Sequence, residues 1–179
     1  MTLQNITLIS FGYFEKEFLE KIAEAVKDEF NCPVAIKEGH LDLSEFYDSA
    51  RRQYNGNALL KQVDSLSIPD SVKILGIFNV DLFIPILTFI FGQGLLGGRT
   101  AIASIHRLNN EHYGMVEDDR ILLERARKEA IHELGHTLGL IHCHTPSCVM
   151  QSSTYVEDID QKEQHVCQHC RAILELGSF

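Results

Sequence analysis

The segment His132–Met150, which reads HELGHTLGLIHCHTPSCVM, is the stretch from which the fold and the chemistry of this chain can be predicted. On a helix, His132 and His136 lie one turn apart on one face, so both imidazoles can bind one zinc ion at roughly 2.0–2.1 Å. Glu133 is next to His132 but points aside from that row, where it can hydrogen-bond a water molecule at the metal. The spacing therefore predicts a helix that carries two zinc ligands and a catalytic base.

The residues that follow predict a third ligand. Gly139 comes three residues after His136, and glycine tolerates the left-handed conformation with which a helix often ends. The chain can then turn back and bring His142 to the metal. His144 is an alternative third ligand, but His142 has the spacing of the extended motif. Three protein ligands leave one position open, which is typical of a catalytic zinc rather than a structural one.

Four cysteines predict a second metal site in the same region. Cys143, Cys148, Cys167 and Cys170 can supply the four thiolates of a closed, structural zinc. Two disulfides are the alternative, which a reducing cytosol would disfavour. Cys32 stands apart and is expected to be a small buried apolar residue. Because His142 and Cys143 are neighbours, we expect the second site to steady the first.

Along the chain as a whole, the hydrophobic pattern indicates both strands and helices. It predicts strands at 6–10, 32–37, 73–80, 87–91 and 100–108, and helices at 13–30, 44–54, 57–65, 117–141 and 168–176. The first two strands enclose a helix, which indicates a parallel βαβ unit. We therefore expect an α+β, α/β-like fold with a mixed, mostly parallel β-sheet, packed helices and a small irregular C-terminal subdomain. The 179 residues suit one domain, with an upper part at about 1–140 and a zinc-stabilised lower part at about 141–179.

Composition excludes several other classes of protein. The net charge of −9 argues against a nucleic-acid partner, which needs clustered Lys and Arg. The longest apolar stretch, 82–91, is about half of what a membrane-spanning helix requires, and the opening MTLQNITLISFGY has no pattern of a signal peptide. These features predict a cytoplasmic protein without a membrane partner, and we expect a monomer.

The combined motif resembles that of the metzincin zinc peptidases, H-E-x-x-H-x-x-G-x-x-H followed by a methionine-containing turn. Within that clan, the cysteine pattern resembles that of the archaemetzincin family. It consists of Cys143 directly after the third histidine, then Cys148-Val149-Met150 and Cys167-x-x-Cys170. The resemblance implies a zincin-like fold and two zinc ions. It also implies that Glu133 is the general base and that Met150 lies beneath the catalytic metal.

The predicted function is hydrolysis of a peptide or protein substrate. In many metzincins a peptide lies antiparallel to the edge strand before the active-site helix; the candidate strand here is 87–91, and the loop at 92–98 would shape the cleft. Tyr155, the tyrosine nearest after Met150, is a poor candidate for supporting the oxyanion. Two alternatives remain, a zinc-stabilised module that binds peptides or proteins without catalysis and a nucleic-acid-binding zinc ribbon, which the acidic charge disfavours.

Overall fold

The computed structural model describes residues 5–68 and 72–177. Within them the strands are β1 (Ile6–Phe11), β2 (Val34–Gly39), β3 (Tyr47–Asp48), β4 (Gln53–Asn55), β5 (Lys73–Phe78), β6 (Leu82–Phe83), β7 (Gly92–Gly94) and β8 (Thr100–Ser104). The α-helices are α1 (Lys16–Phe30), α2 (Gly56–Asp64), α3 (Asp119–Thr137), α4 (Val156–Asp160) and α5 (Gln168–Leu176). Short 3₁₀ turns lie at Leu43–Phe46, His106–Leu108 and Asn110–Tyr113.

The main sheet has the strand order β2-β1-β5-β8-β7. Its first four strands are parallel, and β7 runs antiparallel to β8 at one edge. The predicted βαβ unit and the mostly parallel sheet are confirmed. Strands β1, β5 and β8 are buried along their whole length, as expected for parallel strands covered by helices.

Helices cover both faces of this sheet, and the alternation of side chains along β1 shows how. Leu8 packs into the core shared with α1 and α3, whereas its neighbour Ile9 packs into the core shared with α2. Helix α3 lies against β5, β7 and β8 on the first face, next to α1. The histidine motif is therefore carried by a helix that packs directly beside the antiparallel edge strand.

The helix predicted at 44–54 is wrong. The chain makes a 3₁₀ turn there and then the antiparallel strands β3 and β4, in which Tyr47 pairs with Tyr54. The Asp48 carboxylate accepts the N–H groups of Ala50 and Arg51 at 2.9 and 3.0 Å, and Arg52 adopts a φ of 58°. A side chain that bonds to the backbone in this way competes with a helix and favours a turn.

The strand predicted at 87–91 is also wrong, and this error moves the edge of the sheet. Residues 84–89 form a loop, and Ile90 makes a single bridge to Leu82. The true edge strand is β7, Gly92–Gly94, inside the segment predicted as a loop. The strand predicted at 100–108 ends at Ser104, and the helix predicted at 117–141 spans Asp119–Thr137.

The C-terminal segment contains more regular structure than its sequence pattern indicates. The terminal helix predicted at 168–176 is confirmed as α5, and the short helix α4 precedes it. The Arg125 guanidinium on α3 holds Asp160 at the end of α4 through two contacts of 2.7 Å. Among the helices of the described residues, none has the length and apolar content needed to cross a membrane.

Candidate active site

Helix α3 begins and ends at well-defined points, and these set the position of the histidines. The Asp118 carboxylate caps its first turn by accepting the N–H groups of Arg120 and Ile121, both at 3.0 Å. At the other end Gly139 has a φ of 81°, and the Leu140 N–H donates to the Gly135 carbonyl at 3.0 Å. This is the left-handed helix stop expected of Gly139. The chain reverses there, and His142 comes back toward the helix.

The three predicted histidines meet at one point. One nitrogen from each of His132, His136 and His142 lies within 4.8 Å of the others. The Nε2 atoms of His132 and His136 are 3.1 Å apart, and their ring centroids are 4.7 Å apart. The ring centroid of His142 lies 5.3 Å from that of His132 and 5.0 Å from that of His136. Such a set of nitrogen donors fits a zinc ion with one position left for a reactant. His144 is not part of this group.

Main-chain carbonyls orient the first two imidazoles. His132 Nδ1 lies 2.8 Å from the Val149 oxygen, and His136 Nδ1 lies 2.7 Å from the Leu140 oxygen. Since a carbonyl oxygen only accepts hydrogen bonds, each Nδ1 carries the proton and each Nε2 keeps its lone pair. The protein thus selects the tautomer that a metal requires.

The environment keeps these imidazoles neutral. Burial, followed by the nearby positive charge of Lys162, holds the pKa of His132 well below its ordinary value. Burial also lowers the pKa of His136 and of His142. Neutral histidine is the form that binds metals, so the electrostatics agree with the geometry.

Glu133 lies beside this group and is 4% exposed. Burial raises its pKa well above the ordinary value, and the neighbouring Glu129 carboxylate raises it further. The Gly94 N–H donates to it from β7, whereas its Oε2 has no hydrogen-bond donor among the described residues. A cation at the histidines would offset both destabilising effects. A carboxylate with one uncommitted oxygen is suited to accept a proton.

A cavity of about 380 Å³ opens beside the histidines. Its apolar wall comes from the loop before β7, and its other side comes from α3 and from the segment after Met150. The lining includes Leu87, Phe89, Phe91, Glu129, His132, Glu133, His142, Ser153, Tyr155 and Lys162. Tyr155 is 64% exposed at this rim, so its side chain lies mostly in solvent.

Strand β7 directs part of its backbone away from the sheet. The Phe91 carbonyl accepts the Ser104 N–H at 2.8 Å, and the Leu95 N–H donates to Thr100 at 3.0 Å. Because bonding alternates along an antiparallel strand, Gly92 and Gly94 turn their peptide groups to the opposite edge. One face of β7 packs against α3, since a Cβ on Gly92 would lie 2.7 Å from Cγ of Glu133.

The four predicted cysteines also meet. The Sγ atoms of Cys143 and Cys167 are 3.7 Å apart, and those of Cys148 and Cys170 are 3.9 Å apart. A tetrahedron with Zn–S distances of 2.3 Å has edges of about 3.8 Å, so the thiols are spaced as zinc ligands rather than as disulfides. Burial alone would raise the pKa of Cys167, but the Cys170 N–H and neighbouring groups donate to its sulfur and lower its pKa to about 6.

Cys32 lies away from both groups and is buried, as predicted. Burial raises the pKa of its thiol to about 11. Met150 is completely buried, and a Cβ on Gly135 of α3 would lie 2.5 Å from its Sδ. Met150 therefore packs against the underside of the helix that carries the histidines.

Sequence reasoning did not identify two charged residues of the cavity. Glu129 precedes Glu133 by one helical turn and is 4% exposed; Lys162 follows α4 and is 5% exposed. The spacing of four residues between two glutamates was a usable signal for Glu129. Lys162 lies 25 residues after the end of α3 at Thr137, so only the docking of α4 on Arg125 reveals it.

Comparison with known proteins identifies the family. The model of peptidase family M54 matches residues 1–176. The archaemetzincin of Thermococcus kodakarensis is 36% identical over 172 residues, which cover 92% of each chain. The archaemetzincin of Pyrococcus furiosus is 39% identical over 177 residues, which cover 95% of this chain and 92% of the relative.

Solved structures agree with this comparison. Archaemetzincin from Methanopyrus kandleri has a TM-score of 0.85 and 31% identity, over 97% of this chain and 94% of the other. Archaemetzincin from Archaeoglobus fulgidus, solved as a complex with malonate, has a TM-score of 0.77 and 32% identity, over 94% of this chain and 99% of the other. A binding module without catalysis is not favoured by these relatives. The chain belongs to peptidase family M54, the archaemetzincins, and is a zinc metallopeptidase.

Proposed function

We propose that His132, His136 and His142 hold the catalytic zinc of this peptidase and that Glu133 is its general base. One observation carries the assignment: three neutral imidazoles meet at the edge of a cavity beside a buried carboxylate that has one oxygen without a donor. Zinc bound by such a site acts as a Lewis acid and makes water nucleophilic near neutral pH.

The chain itself supplies proton transfer. Glu133 accepts a proton from the attacking water at a carboxylate oxygen and then delivers it to the leaving nitrogen of the substrate. The Gly94 N–H supports the Glu133 carboxylate and limits its rotation. The carbonyls of Val149 and Leu140 keep the first two imidazoles in the required tautomer throughout.

The substrate backbone is proposed to bind at β7 rather than at the segment 87–91. The outward N–H and carbonyl of Gly92 and the outward carbonyl of Gly94 can pair with an extended peptide as an additional antiparallel strand. Both residues are glycines, which lets the substrate and α3 approach the strand closely. A peptide in that register would pass directly over Glu133.

The second proposed metal is a structural zinc bound by Cys143, Cys148, Cys167 and Cys170. The spacing of the four sulfurs supports it. Thiol ligands of this kind persist in a reducing compartment, so we propose that the enzyme acts in the cytoplasm. Both donor groups come from a single chain, which is compatible with a monomer.

We also propose that the chain forms one catalytic domain with an upper part at about 1–140 and a lower part at about 141–179. The lower part begins where α3 has ended and contains the cysteine group. The Arg125–Asp160 pair and the Glu29 contacts to Val166 and Arg171 support its attachment to the upper part.

The deciding experiment compares the wild type with Glu133→Gln on a defined peptide library, with cleavage products read by mass spectrometry. The variant should lose at least about 100-fold in kcat/KM, because a general base contributes about 10²–10⁴-fold. Its zinc content should equal that of the wild type, since Glu133 is not one of the proposed ligands.

Glu124→Gln is the matched control, because Glu124 is an exposed carboxylate on the same helix that pairs with Arg120 at 3.8 Å. This variant should retain wild-type activity. Full activity in Glu133→Gln would refute its role as base, and loss of zinc in that variant would indicate that Glu133 supports metal binding instead.

A further inference from the structure

Lys162 is a buried lysine whose ammonium lacks a close partner. The residue is 5% exposed and lines the cavity beside His132 and His142. Within residues 5–68 and 72–177, no carboxylate oxygen lies within 4.0 Å of its Nζ and no acceptor lies at hydrogen-bonding distance. An ammonium has three N–H donors, and those of Lys162 are available to an acceptor in the cavity that the residue lines.

The surrounding charges compensate Lys162 only in part. Glu129 and Glu133 face it from α3, and Asp158 faces it from α4. These carboxylates attract the ammonium, yet burial outweighs them and lowers its pKa. The neighbouring negative charges explain why a lysine can lie here. They leave its hydrogen-bonding capacity unused.

The fold holds Lys162 firmly in this position. Its N–H donates to the Ile159 carbonyl at 3.2 Å, and Ile159 is completely buried. Two residues before Lys162, Asp160 is held by Arg125 through two contacts of 2.7 Å. The ammonium is thus presented to the cavity from a fixed segment rather than from a loose chain end.

The rest of the cavity indicates what could occupy it. Leu87, Phe89 and Phe91 supply apolar surface. A second polar atom, the buried Oγ of Ser153, also has no hydrogen-bond partner among the described residues. The cavity therefore combines an apolar wall with two uncommitted hydrogen-bonding groups. It adjoins the histidines, so an occupant would be a substrate residue next to the bond that is cleaved.

We propose that Lys162 is a specificity-determining residue for the substrate side chain next to the scissile bond. It selects a side chain with an apolar stem and an uncharged carbonyl acceptor at its tip, best represented by glutamine. The side-chain carbonyl accepts from the Lys162 ammonium, and Ser153 can contact the amide. Glu129 and Glu133 disfavour a carboxylate tip, because like charges repel at low dielectric. This inference rests on the proposed function, because it assigns the cavity to the substrate of the histidine site.

The test uses zinc-loaded enzyme and peptides that differ only at one residue beside the cleaved bond, which is Gln, Met or Glu. Met matches the length of Gln without its acceptor, and Glu adds a charge. Wild-type kcat/KM should favour Gln over Met by about 10-fold, which is the usual worth of a hydrogen bond to a charged donor. Lys162→Met should reduce this ratio to about 1, and Lys162→Gln, which keeps N–H donors, should restore part of it.

Binding provides a readout that does not depend on turnover. In the Glu133→Gln background, calorimetry should show the same preference for the Gln peptide over the Met peptide and the same loss of that preference with Lys162→Met. Lys27→Met is the matched control, because Lys27 is exposed on α1, away from the cavity. Zinc content and thermal unfolding should be measured for every variant.

Several outcomes would overturn the inference. A wild type that prefers Met or Glu refutes it without any variant. A Lys162→Met variant that loses activity equally on all peptides would show that Lys162 compensates the charges of Glu129 and Glu133 rather than binding the substrate. If Lys162→Met does not fold, the double variant Glu129→Gln/Lys162→Met replaces it, because that variant removes a facing carboxylate together with the ammonium. An unchanged preference for the Gln peptide in the double variant refutes the inference. If no peptide is cleaved, the proposed function fails, while binding still tests the preference.

Discussion

The Nδ1 atom of His132 lies 2.8 Å from the main-chain oxygen of Val149, and this contact connects the two groups of metal donors. Val149 directly follows Cys148, one of the four clustered cysteines. The Cys143 N–H also donates to the Met150 carbonyl at 2.9 Å, which closes the loop between them. The cysteine loop therefore orients the first histidine and also delivers His142, the third.

This connection predicts that the two proposed metal sites are coupled. Cys167→Ser should release zinc from the cysteine group and weaken zinc binding at the histidines by about 10-fold, the usual effect of disturbing a group that orients a ligand. Elemental analysis and competition with a chromophoric chelator measure both effects. Cys32→Ala, which alters a cysteine outside the group, should change neither. An unchanged affinity of the histidine site in Cys167→Ser would show that the sites are independent.

The C-terminal segment is also held by a carboxylate of α1. Glu29 accepts the Val166 N–H at 3.0 Å, lies 2.6 Å from His165 Nδ1 and contacts the Arg171 guanidinium. Glu29→Gln replaces one acceptor oxygen with a donor, which opposes these N–H groups. We expect limited proteolysis within 161–177 to become faster although zinc remains bound. Glu24→Gln, an exposed position on the same helix, is the control, and equal digestion rates would contradict the prediction.

The close approach of β7 to α3 predicts the effect of adding one methyl group. A Cβ at Gly94 would overlap the main-chain oxygen of Glu133 and lie 2.9 Å from Cβ of His136. Because backbone atoms cannot move aside cheaply, Gly94→Ala should reduce the free energy of unfolding by about 1–3 kcal/mol and also lower kcat/KM. Urea denaturation and peptide cleavage measure the two. Gln93→Ala, on the same strand, adds no atom against α3; a loss of equal size there would refute the steric explanation.

An ion pair beneath the cavity loop predicts how stability depends on pH. Burial alone would raise the pKa of Asp81, but Arg107, bound to it at 2.6 and 2.7 Å, acts together with Gln53 and His106 to outweigh burial and lower that pKa. The unfolded-state pKa is about 3.9. The pair therefore stabilises the fold fully above about pH 4, and the stabilisation is lost as the pH falls through the lower folded-state value.

Arg107→Met should accordingly reduce the free energy of unfolding at pH 7 by about 2–3 kcal/mol. The difference from the wild type should shrink as the pH falls below about 4, because the protonated Asp81 no longer attracts Arg107. Urea denaturation between pH 3 and pH 7 measures this. Arg120→Met removes an exposed arginine and should have little effect at any pH. A difference that does not change with pH would contradict the electrostatic explanation.

Local spacing predicted that the three histidines come together, because the relevant contacts are local. His132 and His136 face the same point as a consequence of helix geometry, and Gly139 reverses the chain because its left-handed conformation ends that helix. The parallel βαβ unit could likewise be predicted from the order of its elements. Helix α5 has a clear amphipathic pattern, and its predicted ends agree with the structure.

The errors occurred where pairing is non-local or where side chains carry no pattern. Gly92 and Gly94 have no side chains to show a strand period, so only their pairing with Ala103 and Ala101 on β8 identifies the edge strand. Asp48 converts a helix-like stretch into a hairpin through its own hydrogen bonds. The amino-acid sequence alone determined the ligand types and their local spacing. Only the tertiary structure decided that Lys162 faces Glu129 and that β7 faces Glu133, because those contacts depend on how distant segments pack.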